Sequence, residues 1–487
     1  MKKNFLTVAA MTVVAFFVSA EIAKAADVTF SGQIRTRWEL NEQTGGTAAT
    51  GGAASTSPGF NNQPDDFINS SVRLGAHAKI TDGSSAFIQM QSNRTWGDVG
   101  NTDSGTGKGS GNASSVVNDA DSTVGIHQAY FTLHNFLNLP MGFDAQVGRQ
   151  EIVLDGWRLF GNTIWTMGMQ SHDAIRLNHK HDNMSLSLAY ILRSEDGRAQ
   201  DQNDANDHDV YLAHLNLKGV LGGQFSGYYV YNDNGCGTVV TASASNVEGC
   251  TNLSNNFHTI GGRQVGNMFG LNYRAELYYQ FGDASGIAYS TGGQSTMGVD
   301  VDRDAYMFGV RVGKAFNNAS FKPSVTLFYD YLSGTSDADQ TNNKWKSFDT
   351  LYDTGHKFYG LIDTYLGIGA GGAKGTQGLG LQDLAIKTKF TPVAGWTVKA
   401  DYHYFYTAES VDANTNTRGT ATGAGNANGN FLGNELDITA VNKWNANTKV
   451  MIGYSNYNAS SAFRLLKGAS VGANDANWAY IQFDVKF

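Results

Sequence analysis

Polar and apolar residues alternate one by one along nearly the whole chain, and a segment with that period can bury only one of its two faces. Val28, Phe30, Ile34 and Trp38 interleave with Thr29, Gln33, Arg35, Arg37 and Glu39. Val72, Leu74, Ala76, Ala78 and Ile80 interleave with Arg73, His77 and Lys79. The pattern recurs from Phe269 to Phe281, where Asn272, Arg274, Glu276 and Gln280 take the polar positions, and from Ser324 to Tyr331. At the C-terminus Ala479, Ile481, Phe483, Val485 and Phe487 share one face, and Trp478, Tyr480, Gln482, Asp484 and Lys486 the other. No sustained stretch places apolar residues at helical spacing. The period predicts extended strands throughout.

The connections between these strands come in two alternating sizes. Short turns are expected at 81–84, 138–142, 181–183, 219–222, 264–267, 317–320, 391–395 and 445–448. Long segments rich in Gly, Ser, Asn, Asp and Thr alternate with them, at 41–66, 96–122, 151–171, 194–206, 234–255, 282–303, 333–377, 408–433 and 459–475. Eight turns and nine long segments imply 18 strands, with both termini on the short-turn side. In a bilayer every backbone N–H and C=O must be paired, so spanning strands must close into a ring. Short periplasmic turns, long outer loops and alternating faces are the sequence form of an outer-membrane barrel. A string of soluble β-sandwiches would need linkers and would not alternate its turn lengths so regularly. The fold class is therefore all-β: a transmembrane antiparallel β-barrel of about 18 strands. Closure also explains how 487 residues can form one domain.

Lys2 and Lys3, the apolar run Phe5–Ala20 and the small-x-small site Ala23-Lys24-Ala25 read as a secretory signal peptide over 1–25. The barrel domain would be 26–487, folded outside the cytoplasm. Two cysteines cannot scaffold a chain of this length. Cys236 and Cys250 share one outer loop and are expected to form a disulfide there, worth up to about 3 kcal/mol, with two free thiols as the alternative. A formal charge of −8 and a pI near 5.7 exclude a protein that coats nucleic acid.

With apolar side chains turned to lipid, the opposite parity lines the lumen. That set holds Arg35, Arg37, Arg73, Arg176, Arg274, Arg311, Lys387 and Lys399, with Glu39, Glu276, Asp330, Asp401, Glu435 and Asp437. A charge facing lipid costs roughly 2–4 kcal/mol at the midplane, which constrains these assignments. Guanidinium groups pair carboxylates through two hydrogen bonds, and rings of Arg and Lys favour anions. The inner wall is expected to carry a carboxylate or phosphate solute; the alternative is that its charges only brace the barrel.

Two motifs resemble a known family. Gly148-Arg149-Gln150-Glu151 with Asp155-Gly-Trp-Arg158-Leu-Phe-Gly161 looks like the first signature of the alginate-export family of outer-membrane porins. Phe348-Asp-Thr-Leu-Tyr-Asp-Thr-Gly-His356-Lys357-Phe-Tyr-Gly360, followed by Asp363, looks like the second, and Tyr278–Gly282 and Glu435-Leu-Asp437 resemble smaller landmarks. The resemblance implies an 18-stranded barrel whose Arg and Lys guide an anionic polysaccharide. It implies that Arg149 and Arg158 project toward the pore, and that His356, Lys357 and Asp363 sit in a long loop folded over or into the mouth. Dedicated exporters of this family close the periplasmic mouth with a long turn before the penultimate strand. Here that connection is only Asn445-Ala-Asn-Thr448.

Other chemistries lack their residues. Gly105-Thr-Gly-Lys-Gly-Ser110 has neither the spacing nor the following Ser/Thr of a phosphate-binding loop. There is no His-Glu-x-x-His or Cys–His zinc set, and the acidic stretch 201–209 lacks EF-hand spacing. No catalytic residues and no cofactor are expected. The partners expected are outer-membrane lipid and lipopolysaccharide, an anionic saccharide or small acid as solute, and a periplasmic partner that would set direction. The rivals to a selective channel are a general diffusion porin and a sheath around a partner protein.

Overall fold

A computed structural model describes residues 27–42, 65–96, 124–139, 141–194, 208–234, 255–284, 290–291, 294–295, 301–366, 375–411, 429–467 and 475–487. The proposed signal peptide, Cys236 and Cys250 lie outside these residues, as does most of the acidic stretch 201–209. Eighteen long strands run through the described residues. They are β1 (Asp27–Asn41), β2 (Asp65–Thr81), β3 (Ser84–Thr95), β4 (Gly125–Leu133), β5 (Asp144–Gln150) and β6 (His172–His181). Then come β7 (Met184–Ser194), β8 (His208–Val220), β9 (Gly223–Asn234), β10 (Phe257–Met268), β11 (Leu271–Asp283) and β12 (Asp302–Ala315). The ring ends with β13 (Ser324–Leu332), β14 (Leu381–Phe390), β15 (Trp396–Val411), β16 (Gly429–Lys443), β17 (Thr448–Ala459) and β18 (Ala476–Lys486).

Each strand pairs antiparallel with its sequence neighbours. β1 then pairs antiparallel with β18, setting Arg35 opposite Asp484 and Arg37 opposite Gln482. The ring is closed, so no strand edge meets lipid. A two-residue strand, Lys344–Trp345, adds parallel to the start of β12 from the loop above it.

The turn expected at Gln264–Asn267 lies further on. β10 continues to Met268, and the reversal is made by Phe269 and Gly270 with φ of +54° and +74°. Positive φ at both central residues gives the twist that a two-residue hairpin needs. Gln264 stays in the ladder because its amide donates to the carbonyls of Val220 and Val265, while Phe269 projects 94% exposed toward the interface.

The outer face carries Ile34, Val72, Leu74, Ile88, Ile175, Leu277, Val310, Leu327, Ile452 and Phe483, all exposed. Aromatic side chains mark both rims. Tyr190, Tyr211, Tyr279, Tyr306 and Tyr404 are exposed at the long-loop end, and Phe269, Phe321, Trp444 and Phe487 at the short-turn end. Such girdles sit at the two lipid–water interfaces.

The inner face departs from the expectation that Val, Leu, Ile, Phe and Tyr face lipid. Tyr278, Phe328, Phe405, Tyr457 and Tyr480 point inward and are fully buried. They pack with Ile152, Leu159, Phe160, Phe348, Phe358, Tyr359 and Tyr365 of two long loops, 151–171 and 333–380, whose described residues (151–171, 333–366 and 375–380) fold into the barrel. Each such buried side chain is worth about 2 kcal/mol. Phe463, on α1 (Ser461–Lys467) of the last loop, closes this core against Tyr365 and Tyr457.

Candidate functional site

Loop 151–171 crosses the lumen and is tied to the wall at each step. At its start the Glu151 carboxylate lies 2.7 Å from His127 Nε2 and accepts the Asn162 amide at 2.7 Å. Burial would raise this carboxyl, but those bonds and nearby Arg73 hold it below its ordinary value. Asp155 next accepts from Tyr228 and sits 3.0 Å from His214 Nε2. Burial opposes its charge, and the bonds from His214, Tyr228 and Ser226 outweigh burial, bringing it to about 2. Arg158 follows, donating to Asp330 and, at 2.8 Å, to the Tyr359 hydroxyl, with Nε 3.4 Å from Glu276. At the far end five consecutive carbonyls meet one stretch of wall. Arg35 bonds those of Ile164 and Thr166, Arg37 that of Trp165 at 2.9 Å, Ser71 that of Met167, and Gln91 that of Gly168 at 2.6 Å.

Loop 333–380 enters from the opposite wall and meets the first loop. Phe160 and Tyr352 form a single parallel bridge, backed by Gly161 N–H to Tyr352 O at 2.8 Å. The peptide N–H of Ile362 donates to Glu435 at 2.9 Å. Gly360 permits that approach: with φ +83°, a Cβ there would meet the Glu435 carboxylate at 2.5 Å. His356 Nδ1 is 2.9 Å from Asp363, and its ring stacks on Trp165 at 4.2 Å. Arg37 covers the same Trp165 ring at 3.9 Å. The two sequence motifs are thus these two inward loops.

Between them lies a cluster of cations on β10–β13. Arg274 and Arg311 are cross-strand partners, and Arg263 faces Glu276. Arg263 Nε and Arg274 Nε lie 3.2 and 3.4 Å from Glu276, and Arg311 lies 3.8 Å from Asp330. These are ion-pair distances without hydrogen-bond geometry: Nε and a terminal nitrogen of each of the three arginines are buried and unbonded. Glu276 and Asp330 are buried as well. Lys357 rests 4.0 Å over Trp157. Its head still touches lumen water, yet partial burial and then the charges of Arg274, Arg311, Arg263 and Arg158 lower it to about 8. Five cations here face two carboxylates. The adjoining wall, β14–β16, is acidic: Asp383, Glu435 and Asp437 are buried there, with His403 2.8 Å from Asp383.

The other expected residues sort unevenly. Arg73 is buried against Gln91 at 2.7 Å, and Arg176 holds Ser187 at 2.7 Å. Lys387 pairs Asp401 at 3.1 Å, and Lys399 is exposed on the same inner parity near the short-turn end. Arg149 corrects the expectation that it points to the pore. It is paired with Asp173 on the outer face, opposite Ala129 and two residues from exposed Ile175, through bonds of 2.8 and 2.6 Å. The physical reason is parity: Gln150, one residue on, turns inward and is fully buried, so Arg149 must turn out. Gly148 holds that register, since a Cβ there would lie 2.3 Å from the Ala129 carbonyl.

Arg263, Arg303 and Arg193 were not singled out by sequence. Arg263 was hidden by the turn placed at Gln264; the Phe257, Thr259, Gly261, Arg263 parity carried the signal. Arg303 stacks over Phe257 at 4.0 Å, at a strand start that falls in the loop expected at 282–303, and Arg193 over Tyr352 at 4.9 Å, at a strand end just before the loop expected at 194–206.

Residues 29–476 match the family described as alginate export. The chain belongs to the alginate-export family. No curated protein sequence matches it. Among solved structures, Acinetobacter baumannii OccAB1 superposes with a TM-score of 0.55 at 13% identity, covering 96% of this chain and 99% of that one. A. baumannii OccAB2 gives 0.53 at 11% identity, covering 95% and 98%. Pseudomonas aeruginosa OccK8 (OprE) gives 0.52 at 10% identity, again covering 95% and 98%. Identities this low show a shared barrel and no more. Family and fold together make this alginate-export protein a channel of the Gram-negative outer membrane.

Proposed function

We propose that this channel passes an anionic saccharide or a small organic acid, and that Arg263, Arg274, Arg311 and Lys357 are the groups that favour it. The observation that carries this reading is the set of unbonded guanidinium nitrogens beside only two carboxylates. Unmatched buried donors are costly, and an oxyanion supplies the missing acceptors. Arg158 holds the two carboxylates in place, so the three wall arginines stay available. Residues 1–25 are proposed as the cleaved signal, leaving 26–487 as the barrel. The chain's own loops occupy the lumen, which argues against a sheath around a partner protein. The acidic sector of β14–β16 favours a second reading, a weakly selective porin.

Reversal potential across a planar bilayer in a salt gradient, followed by titration with uronate oligomers, separates the two. Anion selectivity with uronate block supports the first reading; a large, weakly selective, unblocked current supports the second. Replacing Arg274 and Arg311 together by Ser is expected to abolish most of the anion preference while the barrel still folds, because lumen water hydrates the gap. Unchanged selectivity in R274S/R311S would remove these residues from the function.

A further inference from the structure

Away from the arginine cluster, at the long-loop end of the wall, the structure holds a polar cavity of about 110 Å³. Its floor comes from the last or first residues of three consecutive strands and their approach: His208 on β8, Asn232 and Asn234 on β9, Asn255 and Phe257 leading into β10. Its roof is Asp349 and Tyr352 of loop 333–380. The space is smaller than the roughly 150 Å³ of an engineered cavity that admits benzene, and it is open on one side, so a larger ring would enter it only in part.

The hydrogen-bonding groups are unusual for a packing defect. Asn232 is 2% exposed. Its Oδ1 accepts the Tyr352 hydroxyl at 3.1 Å and lies 3.5 Å from His208 Nε2. Its Nδ2 is buried and donates to nothing. Asn255 Oδ1 accepts from Arg303 at 2.8 Å, which fixes that amide and leaves its NH₂ as the remaining donor group. Asp349 keeps one oxygen on the Leu351 N–H at 2.8 Å. Phe257 and Tyr352 add ring surface, each backed by an arginine, Arg303 and Arg193. Amide donors, a carboxylate acceptor, an imidazole and aromatic surface are the set that recognises a ring bearing several hydroxyls: each hydroxyl both donates and accepts, and its C–H face packs on a ring. A small acid without hydroxyls would satisfy few of these groups.

We propose that this cavity is a binding subsite for one sugar ring, recognised through its hydroxyls and not its charge. It rests on the channel reading for its place at the mouth and not on the anion preference. A solute would meet hydroxyl recognition at the mouth and charge recognition at the arginines.

The probe is a neutral hexose and its neutral trimer, titrated into the full-length protein in detergent by calorimetry, with glycerol as control. Saturable heat with hexose and none with glycerol is expected. Asn232→Leu, which caps the orphan donor position with apolar bulk, should weaken hexose binding roughly tenfold. Tyr352→Phe, which keeps the ring and loses the hydroxyl, should weaken it several-fold. Both variants should keep the wild-type reversal potential. No saturable heat with hexose, or equal binding by wild type and N232L, overturns the subsite and leaves the anion-channel reading standing. Hexose binding by a protein that shows no anion selectivity would overturn the anion reading and leave the subsite standing.

Discussion

On the wall β1–β3, Arg35 and Arg37 give their N–H groups to the carbonyls of Ile164, Trp165 and Thr166. On the wall β10–β13, the acceptors nearest Arg263, Arg274 and Arg311 are the carboxylates of Glu276 and Asp330, at distances too long or too bent for hydrogen bonds, and Arg311 otherwise rests 4.0 Å over the Phe328 ring. Both groups are arginines on the inner parity, Arg35 and Arg37 two residues apart on β1 and the other three on adjacent strands, and both are largely buried. The difference is what the loop offers each of them. Residues 164–168 present a run of backbone carbonyls, which neutralise no charge but satisfy donors. Residues 157–158 present a tryptophan and another cation. A face rich in arginine therefore does not say how many arginines are free for a solute; the backbone that folds against it does.

Arg158 is the sharpest point at which to break that contrast, because it bridges loop 151–171 to the cationic wall. Its side chain is 2% exposed and pairs two buried carboxylates. Removing one partner from a buried ion-paired group costs about 3–5 kcal/mol. Arg158→Met is expected to loosen both loops, seen as faster proteolytic nicking within 151–171 and 333–380 and as a larger single-channel conductance. The strands themselves should stay protease-resistant. Unchanged conductance and nicking would mean that Arg158 is not what holds the loops inward.

The first wall should respond differently. Arg35→Ala with Arg37→Met removes three bonds to loop carbonyls, the stacking on Trp165 and the buried Arg37–Glu39 ion pair at 2.7 Å. The carbonyls regain water from the lumen, but Glu39 stays buried with, among the described residues, only the Trp478 indole N–H as donor, so the cost is at the low end of that for Arg158, about 3 kcal/mol. Conductance should rise as loop 151–171 loosens, while the sign of the reversal potential holds. R274S/R311S should do the reverse, changing selectivity and leaving the loop in place. If both doubles shift selectivity equally, the distinction between bracing and free arginines fails.

How much of this was legible in sequence follows from the same contrast. Strand number, closure, turn alternation and the outer face were readable, because lipid and backbone pairing leave one solution and period two is a local signal. The turn at Phe269–Gly270 was missed because Gln264 and Asn267 look like turn residues, whereas their amides serve the ladder and the hairpin. The inward parity of Arg274 and Arg311 was readable from alternation, but the occupation of Arg35 and Arg37 was not: their acceptors are peptide carbonyls over a hundred residues away, which carry no side-chain signature. The inward aromatics did leave a trace. Tyr228-Tyr229-Val230-Tyr231 and Tyr404-Phe405-Tyr406 are apolar on both parities, which a purely polar lumen would not require. Arg149 was misplaced by reading the motif as one unit. Gly148, Gln150 and Glu151 serve the inside of the barrel, and the residue between them must face out.

The smallest expected effect is a change of about two charges with pH, and it tests whether Lys357 belongs to the free group. Partial burial and the four neighbouring arginines set the Lys357 ammonium at about 8. Burial, against the pull of Arg158, sets the Asp353 carboxyl at about 8 as well. Below about pH 7, Lys357 is therefore charged and Asp353 neutral. Raising pH through 8 removes one positive charge and adds one negative charge, so the lumen beside the arginines loses positive potential and anion preference falls. Acidifying to about pH 6 changes neither group, so the reversal potential should be flat on that side and bend only on the alkaline side. Lys357→Met should lower the plateau and leave the part of the bend that belongs to Asp353; Asp353→Asn should leave the plateau and remove that part. A wild-type reversal potential that is level from about pH 6 to pH 9 would place both groups outside the conduction path, and with them loop 333–380.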